Sequence, residues 1–245
     1  MVTKTRGSVT RWSRALTLRT VLLLAGALVA SVVFTIVARE LRDPRLDLLD
    51  KQLELAVHKL DSTPADLVAA AASFIGSNVV LIPVVVLLAA LCAWRRKRVA
   101  AVVLVVDAVF VIVINQYLKT IFARPRPRLF DKIPLPTDYS FTSGHSMSAV
   151  GVWGVIAAVM VALFPAHRRA IVVAAVTLIL TIGLSRIYFG VHWPFDVAGG
   201  FLAGLPPLIV SVHLIPRRQT DNDRHVAEFI QAAAPHGAAE YKETL

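Results

Sequence analysis

Three short stretches of the chain combine basic, hydroxyl and imidazole side chains at regular spacings. They contain Lys119 followed after six residues by Arg126-Pro127, then Ser143-Gly144-His145, then Ser185-Arg186 followed by His192 and Asp196. An arginine offers a planar fork that fits phosphate oxygens, and a lysine offers a compact positive charge. A Ser-Gly pair before a helix adds a hydroxyl and free backbone N–H groups at a positive helix end. These residue types together indicate a site that binds phosphate, although each cation alone would equally suit an anchor at the lipid headgroups.

The two histidines indicate chemistry in addition to binding. Asp196 lies four residues after His192, and a carboxylate that accepts one ring N–H fixes the tautomer and leaves the other nitrogen free to attack. Pro194 predicts the start of a helix between them, because proline is favoured at the first helical position. His145 is a second candidate for proton transfer. A lone histidine near a membrane is more often packed or solvated, but the neighbouring phosphate-binding residue types favour catalysis here.

In this order and spacing the three stretches resemble the signatures of the type 2 phosphatidic acid phosphatase family, K-x6-R-P, P-S-G-H and S-R-x5-H-x3-D. The resemblance extends over about residues 70–215. Thr142 stands where the family usually has a proline, which removes a fixed φ angle but no catalytic atom. Arg124-Pro125 repeats the Arg-Pro pair. The six-residue spacing selects Arg126 and leaves Arg124 and Arg128 as candidates for contact with a lipid headgroup.

The resemblance implies a role for each of these residues. His192 would attack phosphorus and form a phosphohistidine, and Asp196 would orient its ring. His145 would protonate the leaving group and later activate water. The phosphate oxygens would be held by Lys119, Arg126, Ser143, Gly144 and Arg186. Neither a cofactor nor a metal ion is implied, and the sequence contains no closely spaced carboxylates and histidines that suit a metal site.

The expected function is metal-independent hydrolysis of the terminal phosphate of a membrane lipid. Phosphatidate, diacylglycerol pyrophosphate, phosphatidylglycerol phosphate and undecaprenyl pyrophosphate all present such a phosphate, and the signatures do not separate them. One alternative is a lipid phosphotransferase, which passes the phosphoryl group to an acceptor other than water. Another is a non-catalytic lipid-binding or transport protein, against which the intact His145, His192 and Asp196 speak. Vanadium haloperoxidases resemble the family in their anion pocket, but they are soluble.

The elements that must position these residues are membrane helices. Hydrophobic residues make up 56% of the 245 residues, charged residues 17%, and the mean hydropathy is +0.67, which is too apolar for an ordinary soluble domain. A membrane helix needs about 20 mostly apolar residues. The stretches that qualify are 20–38, 77–94, 99–118, 146–166, 170–185 and 197–216. The predicted fold is therefore all-α, a polytopic membrane protein with six transmembrane helices.

Positive charges predict the orientation of these helices. Arginine and lysine cluster in residues 1–19, 95–98, 168–169 and 217–218, and such clusters face the cytoplasm. Both termini are then cytoplasmic in the cell inner (plasma) membrane, while segments 39–66, 119–145 and 186–196 face outward and place the candidate site there. The net charge of +10 is thus a signal of topology. The expected partners are the bilayer and a lipid phosphate, with no nucleic acid, and the oligomeric state is not indicated.

The expected domains are a basic cytoplasmic segment at 1–19, a membrane domain at 20–216 and a polar cytoplasmic tail at 217–245. The first helix is expected to be an uncleaved anchor, because its apolar run is longer than that of a signal peptide. Within the outer segment, apolar residues at helical spacing predict an amphipathic helix over residues 46–60. That helix would lie on the membrane surface or pack on the protein itself.

Polar and small residues outside the signatures carry structural predictions. Asp107 lies within the third predicted span, where a structural hydrogen bond is expected ahead of a role in ion or proton movement. Asn115, two turns further along the same helix, would support the site. Gly199, Gly200 and Gly204 in the last span would let neighbouring helices approach closely.

Overall fold

The structure, a computed structural model, describes residues 6–215 except Arg42 and Asp131, and all regular structure in that range is helical. The α-helices are α1 (Arg6–Glu40), α2 (Pro44–His58), α3 (Thr63–Ile75), α4 (Asn78–Trp94), α5 (Arg98–Phe122), α6 (Gly144–Ser148), α7 (Gly154–Leu163), α8 (Arg168–Tyr188) and α9 (Pro194–Leu214). A π turn, Ala149–Trp153, joins α6 to α7, and a 3-10 turn, Pro165–His167, precedes α8. The predicted tail at 217–245 and the first five residues of the predicted basic segment lie outside the described residues, so the division into domains stays a prediction.

Five stretches of helix are long and apolar enough to cross a membrane. They are Thr20–Glu40, Arg98–Phe122, Gly144–Leu163, Pro165–Tyr188 and Pro194–Leu214. The pair α3 and α4 provides a sixth if it counts as one span, which is bent by 49° between the two helices. Many large apolar side chains on these helices point outward, including Leu28, which is 64% exposed, as expected for surfaces that contact lipid. The prediction of an all-α protein with several membrane spans is confirmed.

The buried core lies between α4, α5 and the helix that runs from α6 through the π turn into α7. Its fully buried members include Leu81, Leu104, Val111, Val152 and Val155. Because lipid tails are as apolar as these side chains, such a core is stabilised by close packing more than by exclusion of water. It joins these helices between Leu81 and Cys92 of α4 and between Ala100 and Val111 of α5, and the predicted site residues lie outside it.

Capping residues set where the outer helices begin and where the chain turns. Asp43 precedes α2 and accepts a hydrogen bond from the Arg45 N–H at 2.7 Å, and Ser62 caps α3 in the same way. A cap of this kind satisfies an N–H group that has no partner within the helix. The C-terminal end of α5 is set in a different way. This helix ends at Phe122, and the next residue, Ala123, has a left-handed φ of 45°. The chain therefore leaves the membrane helix abruptly and enters the loop that carries Arg124 and Arg126.

Helix α2 packs against the protein with its acidic side. It contacts α8 and α9, and Asp50 and Glu54 are fully buried there, whereas Leu49 and Leu53 are 40% and 43% exposed. Of the two expected placements, packing on the protein is therefore the observed one, but the leucine stripe does not make the contact. The acidic side is buried because Asp50 has partners on the domain, namely a guanidinium and a backbone N–H.

Glycines in α9 bring this helix against the segment that carries the Ser-Gly-His stretch. A Cβ atom on Gly200 would lie 2.7 Å from the Ser143 carbonyl oxygen, and one on Gly204 would lie 2.7 Å from the Met147 carbonyl oxygen. Both distances are too short for real contacts. The predicted close packing at these glycines is confirmed, and it fixes the distance between two parts of the candidate site.

Asp107, within the third predicted span, accepts a hydrogen bond from another membrane helix. The Ser211 hydroxyl of α9 donates to Asp107 Oδ1 of α5 at 2.7 Å, and both side chains are buried. This hydrogen bond links two membrane helices, so the structural hydrogen bond expected for Asp107 is present.

Replacement of Gly200 by alanine tests the close approach of α9. The added methyl group would overlap Ser143 and Ser146, and overpacking of this kind costs about 1–3 kcal/mol. We expect a lower melting temperature of the purified protein in detergent for Gly200→Ala. Gly26→Ala is the matched control, because its nearest neighbour would lie at an ordinary 3.9 Å. Equal melting temperatures for the two variants would contradict this packing.

Candidate active site

A cavity of about 220 Å³ lies between the end of α5, the start of α6 and the end of α8. The predicted site residues that line it are Lys119, Arg126, Gly144, His145, Arg186 and His192. The other two, Ser143 and Asp196, are fully buried and adjoin Gly144 and His192. Three stretches that are separated in sequence thus meet around one small space, which is large enough for a phosphate group.

His192 and Asp196 are held by the start of α9. This helix begins at Pro194, as predicted, and Asp196 is its third residue. Asp196 Oδ2 accepts hydrogen bonds from the Trp193 N–H at 2.9 Å and from the Ser140 hydroxyl. His192 Nδ1 lies 3.6 Å from the same oxygen, slightly beyond a normal hydrogen bond. The carboxylate is therefore next to the imidazole and is itself fixed by two other donors.

Arg126 determines which nitrogen of His192 carries the lone pair. Arg126 Nη1 lies 3.1 Å from His192 Nε2 and donates to the Val191 carbonyl at 2.6 Å. A guanidinium only donates hydrogen bonds, so Nε2 must accept, and the ring proton must be on Nδ1, which faces Asp196. Burial is the largest cause that lowers the pKa of His192, to about 4. The ring is thus neutral at pH 7, and His192, whose Nε2 carries the lone pair, lines the cavity.

The loop before α6 is fixed by Asn115 of α5. Asn115 Nδ2 donates to Thr142 Oγ1 at 2.8 Å and to the Thr142 carbonyl at 3.2 Å, which confirms its predicted supporting position. A Cβ atom on Gly144 would lie 2.9 Å from Asn115 Oδ1, so a larger residue here would displace the Asn115 side chain. Ser143 caps α6: its Oγ accepts from the Ser146 N–H at 3.4 Å.

His145 lies on the wall of the cavity formed by α3 and α8. The backbone of Ser73 is a hydrogen-bond partner of its ring, and the ring edge packs against Gly76, where a Cβ atom would lie 3.2 Å from His145 Cδ2. The Arg186 guanidinium donates through Nη1 to the Ser73 hydroxyl. Ser73 thus contacts two predicted site residues. No sequence pattern indicates this role for Ser73, since a serine in an apolar helix has no distinctive spacing.

Lys119 and Arg126 share a carboxylate that was not anticipated. Lys119 Nζ donates to Asp138 Oδ2, and Arg126 Nη2 donates to Asp138 Oδ1 at 2.5 Å. Burial by itself would raise the pKa of Asp138, but the hydrogen bonds from the two cations outweigh it and hold the pKa below its usual value. Asp138 lines the cavity, so an anion already occupies part of the cationic surface.

The position of Arg124 differs from the prediction. It is buried, with Nη1 donating to Asp196 Oδ1 at 2.8 Å and Nη2 donating to Asp50 Oδ2 at 2.7 Å. The expectation that it contacts a lipid headgroup is wrong, because its guanidinium is bound to the buried carboxylates of Asp196 and Asp50 and also lies 3.4 Å from Asp47 Oδ1. The repeated Arg-Pro pair was the available signal, but spacing alone does not reveal which arginine turns inward. Arg128 is exposed.

The positive charge around the cavity comes from side chains. Among the residues that the structure describes, no group of three or more His, Cys, Asp or Glu side chains is arranged to hold a metal ion. Lys119, Arg126 and Arg186 instead surround the space next to His192 Nε2. A neutral imidazole beside three cations suits attack on a phosphoryl group, whose oxygens carry the negative charge.

Comparisons with known proteins agree with this geometry. Phosphatidylglycerophosphatase B of Bacillus subtilis (strain 168) is 29% identical over 177 residues, covering 70% of this chain and 86% of that protein. The undecaprenyl-diphosphatase of Sulfolobus acidocaldarius is 32% identical over 144 residues, covering 57% and 65% of the respective chains. Both relatives are named as phosphatases of membrane lipid phosphates.

Two solved structures have the same fold. The crystal structure of the transmembrane PAP2-type phosphatidylglycerolphosphate phosphatase from Bacillus subtilis superimposes with a TM-score of 0.72 at 26% identity, covering 76% of this chain and 93% of that one. The crystal structure of Aquifex aeolicus LpxE gives a TM-score of 0.54 at 27% identity, covering 67% and 94%. The chain therefore has the fold of a multi-pass membrane phosphatase.

The family model of the PAP2 superfamily matches residues 98–220. That range begins at α5 and includes all three signature stretches. The resemblance seen in the sequence is thereby confirmed, and the chain belongs to the PAP2 superfamily.

Proposed function

We propose that this protein hydrolyses the terminal phosphate of a membrane lipid phosphate or pyrophosphate through a phosphohistidine at His192. The observation that carries the proposal is the neutral His192 ring beside a cavity that also contains His145 and three cations. A binding or transport protein would have no use for a nucleophilic nitrogen in that position. The names of the relatives from Bacillus and Sulfolobus support the same reaction class.

In the first step, His192 Nε2 attacks phosphorus in line with the leaving oxygen. The new P–N bond forms as the P–O bond breaks, and His145, whose protonated form is favoured by the negative charge of the bound phosphate, donates a proton to the departing oxygen. The proton on His192 Nδ1 stays next to Asp196, whose negative charge stabilises the cationic ring. Lys119, Arg126 and Arg186 bind the non-bridging oxygens as their charge develops, which is where electrostatic stabilisation contributes most.

In the second step, neutral His145 removes a proton from a water molecule. The water oxygen attacks phosphorus, the P–N bond breaks, and inorganic phosphate and neutral His192 are formed. Proton transfer of this kind contributes a factor of about 10²–10⁴ in rate. His145 ends the step protonated and is ready for the next substrate, so one histidine serves both steps.

The position of the cations supports a lipid as the substrate. Lys119 is in the last turn of α5 and Arg186 is in the last turn of α8, both of which are membrane-spanning candidates. A phosphate at headgroup depth would reach them while its acyl or prenyl chain stays in the bilayer. A soluble phosphate ester would gain nothing from this placement.

The proposed topology places this site outside the cytoplasm. The basic links at Arg95–Arg98 and Arg168–Arg169 lie at the ends of the helices opposite Lys119 and Arg186. By the preference of such clusters for the cytoplasm, both termini are cytoplasmic and the cavity opens on the outer face of the inner (plasma) membrane.

Phosphate release tests the proposed reaction. We expect purified protein to release phosphate from at least one of phosphatidate, diacylglycerol pyrophosphate, phosphatidylglycerol phosphate or undecaprenyl pyrophosphate in the presence of EDTA, with inhibition by vanadate. His192→Ala should abolish the release, because the nucleophile is lost. Activity that survives this substitution, or that strictly needs Mg²⁺, would overturn the mechanism. Product analysis with added alcohol acceptors separates hydrolysis from phosphotransfer.

The protonation state of His192 can be measured directly. Because burial lowers its pKa to about 4, the ring should stay neutral as the pH falls from 8 to about 5 and should gain a proton only near pH 4. NMR titration of histidine labelled with ¹³C in the ring, with His192→Gln to assign the signal, gives this value. Titration near the ordinary value of about 6.5 would contradict a nucleophile that is neutral because it is buried.

Asp138 should compete with anions for the cations. Asp138→Asn removes a negative charge from Lys119 and Arg126, and a partly exposed ion pair of this kind is worth up to about 1 kcal/mol. We therefore expect vanadate inhibition to become roughly fivefold tighter. Asp66→Asn is the matched control, because Asp66 pairs with Lys132, which is not a predicted site residue. Unchanged or weaker inhibition for Asp138→Asn would show that Asp138 organises the cations instead of competing for them.

A further inference from the structure

Asp196 is a fully buried carboxylate whose charge must be compensated by the protein. Leaving such a charge without partners would cost several kcal/mol. His192 does not supply the compensation, since it is neutral and its Nδ1 lies 3.6 Å away. The Trp193 N–H and the Ser140 hydroxyl bind Oδ2, which leaves Oδ1 for a charged partner.

Arg124 is that partner. Its Nη1 donates to Asp196 Oδ1 at 2.8 Å, and the guanidinium is 8% exposed. The arginine is fixed from two further directions: its carbonyl accepts from the Ser140 N–H at 2.8 Å, and its guanidinium lies 5.6 Å from the centre of the Trp193 ring. Charged hydrogen bonds of this kind are short and directional. Arg124 therefore determines where Oδ1 points, and with it the orientation of the whole carboxylate.

Helix α2 completes the arrangement. Arg124 Nη2 donates to Asp50 Oδ2 at 2.7 Å, and Asp50 Oδ1 accepts from the Phe195 N–H at 2.9 Å. Phe195 directly precedes Asp196, so α2 is linked to the start of α9 both through Arg124 and through the backbone. Glu54, one turn along α2, is buried beside Asp50, and burial together with Asp50 raises its pKa to about 8. It is thus mostly neutral at pH 7 and leaves Asp50 as the anion that faces Arg124.

We propose that Arg124 is a positioning residue for catalysis. Bridging Asp50 and Asp196, it holds the carboxylate that orients His192, and the outer helix α2 is thereby a required part of the active site. This inference rests on the proposed function of His192 as the nucleophile. Arg124 acts through Asp196 and does not contact the substrate, so its loss should slow the chemical step and leave substrate binding nearly unchanged.

Several other charged groups surround His192 and Asp196. They are Asp50 and Glu54 of α2, Lys119 of α5, Arg126 of the following loop, His145 of α6 and Arg186 of α8. Removing the guanidinium of Arg124 leaves the negative charge of Asp196 less balanced, which favours a protonated His192. The acid limb of the activity profile should therefore move to higher pH when Arg124 is replaced.

The test compares Arg124→Gln, Arg124→Lys and Asp50→Asn with Arg169→Gln, which removes an exposed arginine at the end of α8 opposite Arg186. We expect kcat for phosphate release to fall by about 10- to 100-fold in Arg124→Gln, as for a misplaced catalytic group, with KM changed less than twofold and the acid limb shifted upward. Arg124→Lys should recover part of kcat, since it restores the charge but not the fork. Arg169→Gln should resemble the parent protein.

The folding of each variant is checked by melting temperature and gel filtration in detergent. If Arg124→Gln does not fold, Asp50→Asn tests the same interaction from the side of α2. We expect Asp50→Asn to lower kcat at unchanged KM. In the double variant Asp50→Asn/Arg124→Lys, kcat should fall by less than the product of the two single-variant factors, because the two residues act together. A raised KM with unchanged kcat would show that Arg124 contacts the headgroup and would overturn the inference. Unchanged kinetics in Arg124→Gln or Asp50→Asn, while His192→Ala is inactive, would overturn it and leave the proposed function standing. Activity in His192→Ala would overturn both.

Discussion

The buried charge of Asp196 is the constraint around which the site is built. A carboxylate in a low-dielectric interior needs donors on every lone pair that water would otherwise bind. The donors come from parts of the chain that are distant in sequence: Arg124 after α5, Ser140 before α6, and the Trp193 N–H before α9. Each donor brings its own loop to the start of α9. The hydrogen bonds that satisfy this one carboxylate thus also fix the loops that carry the proposed phosphate-binding residues.

Around the cavity it is positive charge that must be compensated, because the three cations lie close together and repel one another. Asp138 offsets two of them in the free protein, with hydrogen bonds from Lys119 and Arg126. Arg186 is instead tied to Ser73 of α3. A phosphate that binds Lys119 and Arg126 must therefore replace the Asp138 carboxylate, whereas the partner of Arg186 is a neutral hydroxyl. The positive charge needed to stabilise a phosphoryl group is already concentrated around the cavity.

The candidate catalytic and phosphate-binding residues could be predicted from the sequence better than the residues that position them. Lys119, Arg126 and His192 stand at spacings that one loop and one helix start impose, so their convergence was foreseeable. The inward turn of Arg124 was not, because it depends on Asp50, a residue 74 positions away. The orientation of α2 was also missed: in a membrane protein an apolar stripe can face lipid, so the usual rule that leucines mark the packed side fails, and the buried side is acidic.

The bend between α3 and α4 has a consequence for the bilayer. Gly76 and Asn78, at the bend, line the cavity, and irregular backbone at membrane depth is tolerated where it borders water or protein. The apolar helix beyond it, α4, has 17 residues, or about 25 Å at 1.5 Å per residue. A typical hydrocarbon core is about 30 Å thick. Helix α4 alone is therefore slightly shorter than that layer, and on the cavity side the chain continues into α3, which is bent from α4 by 49°. The sixth span thus includes the bend, and its irregular backbone forms part of the cavity wall.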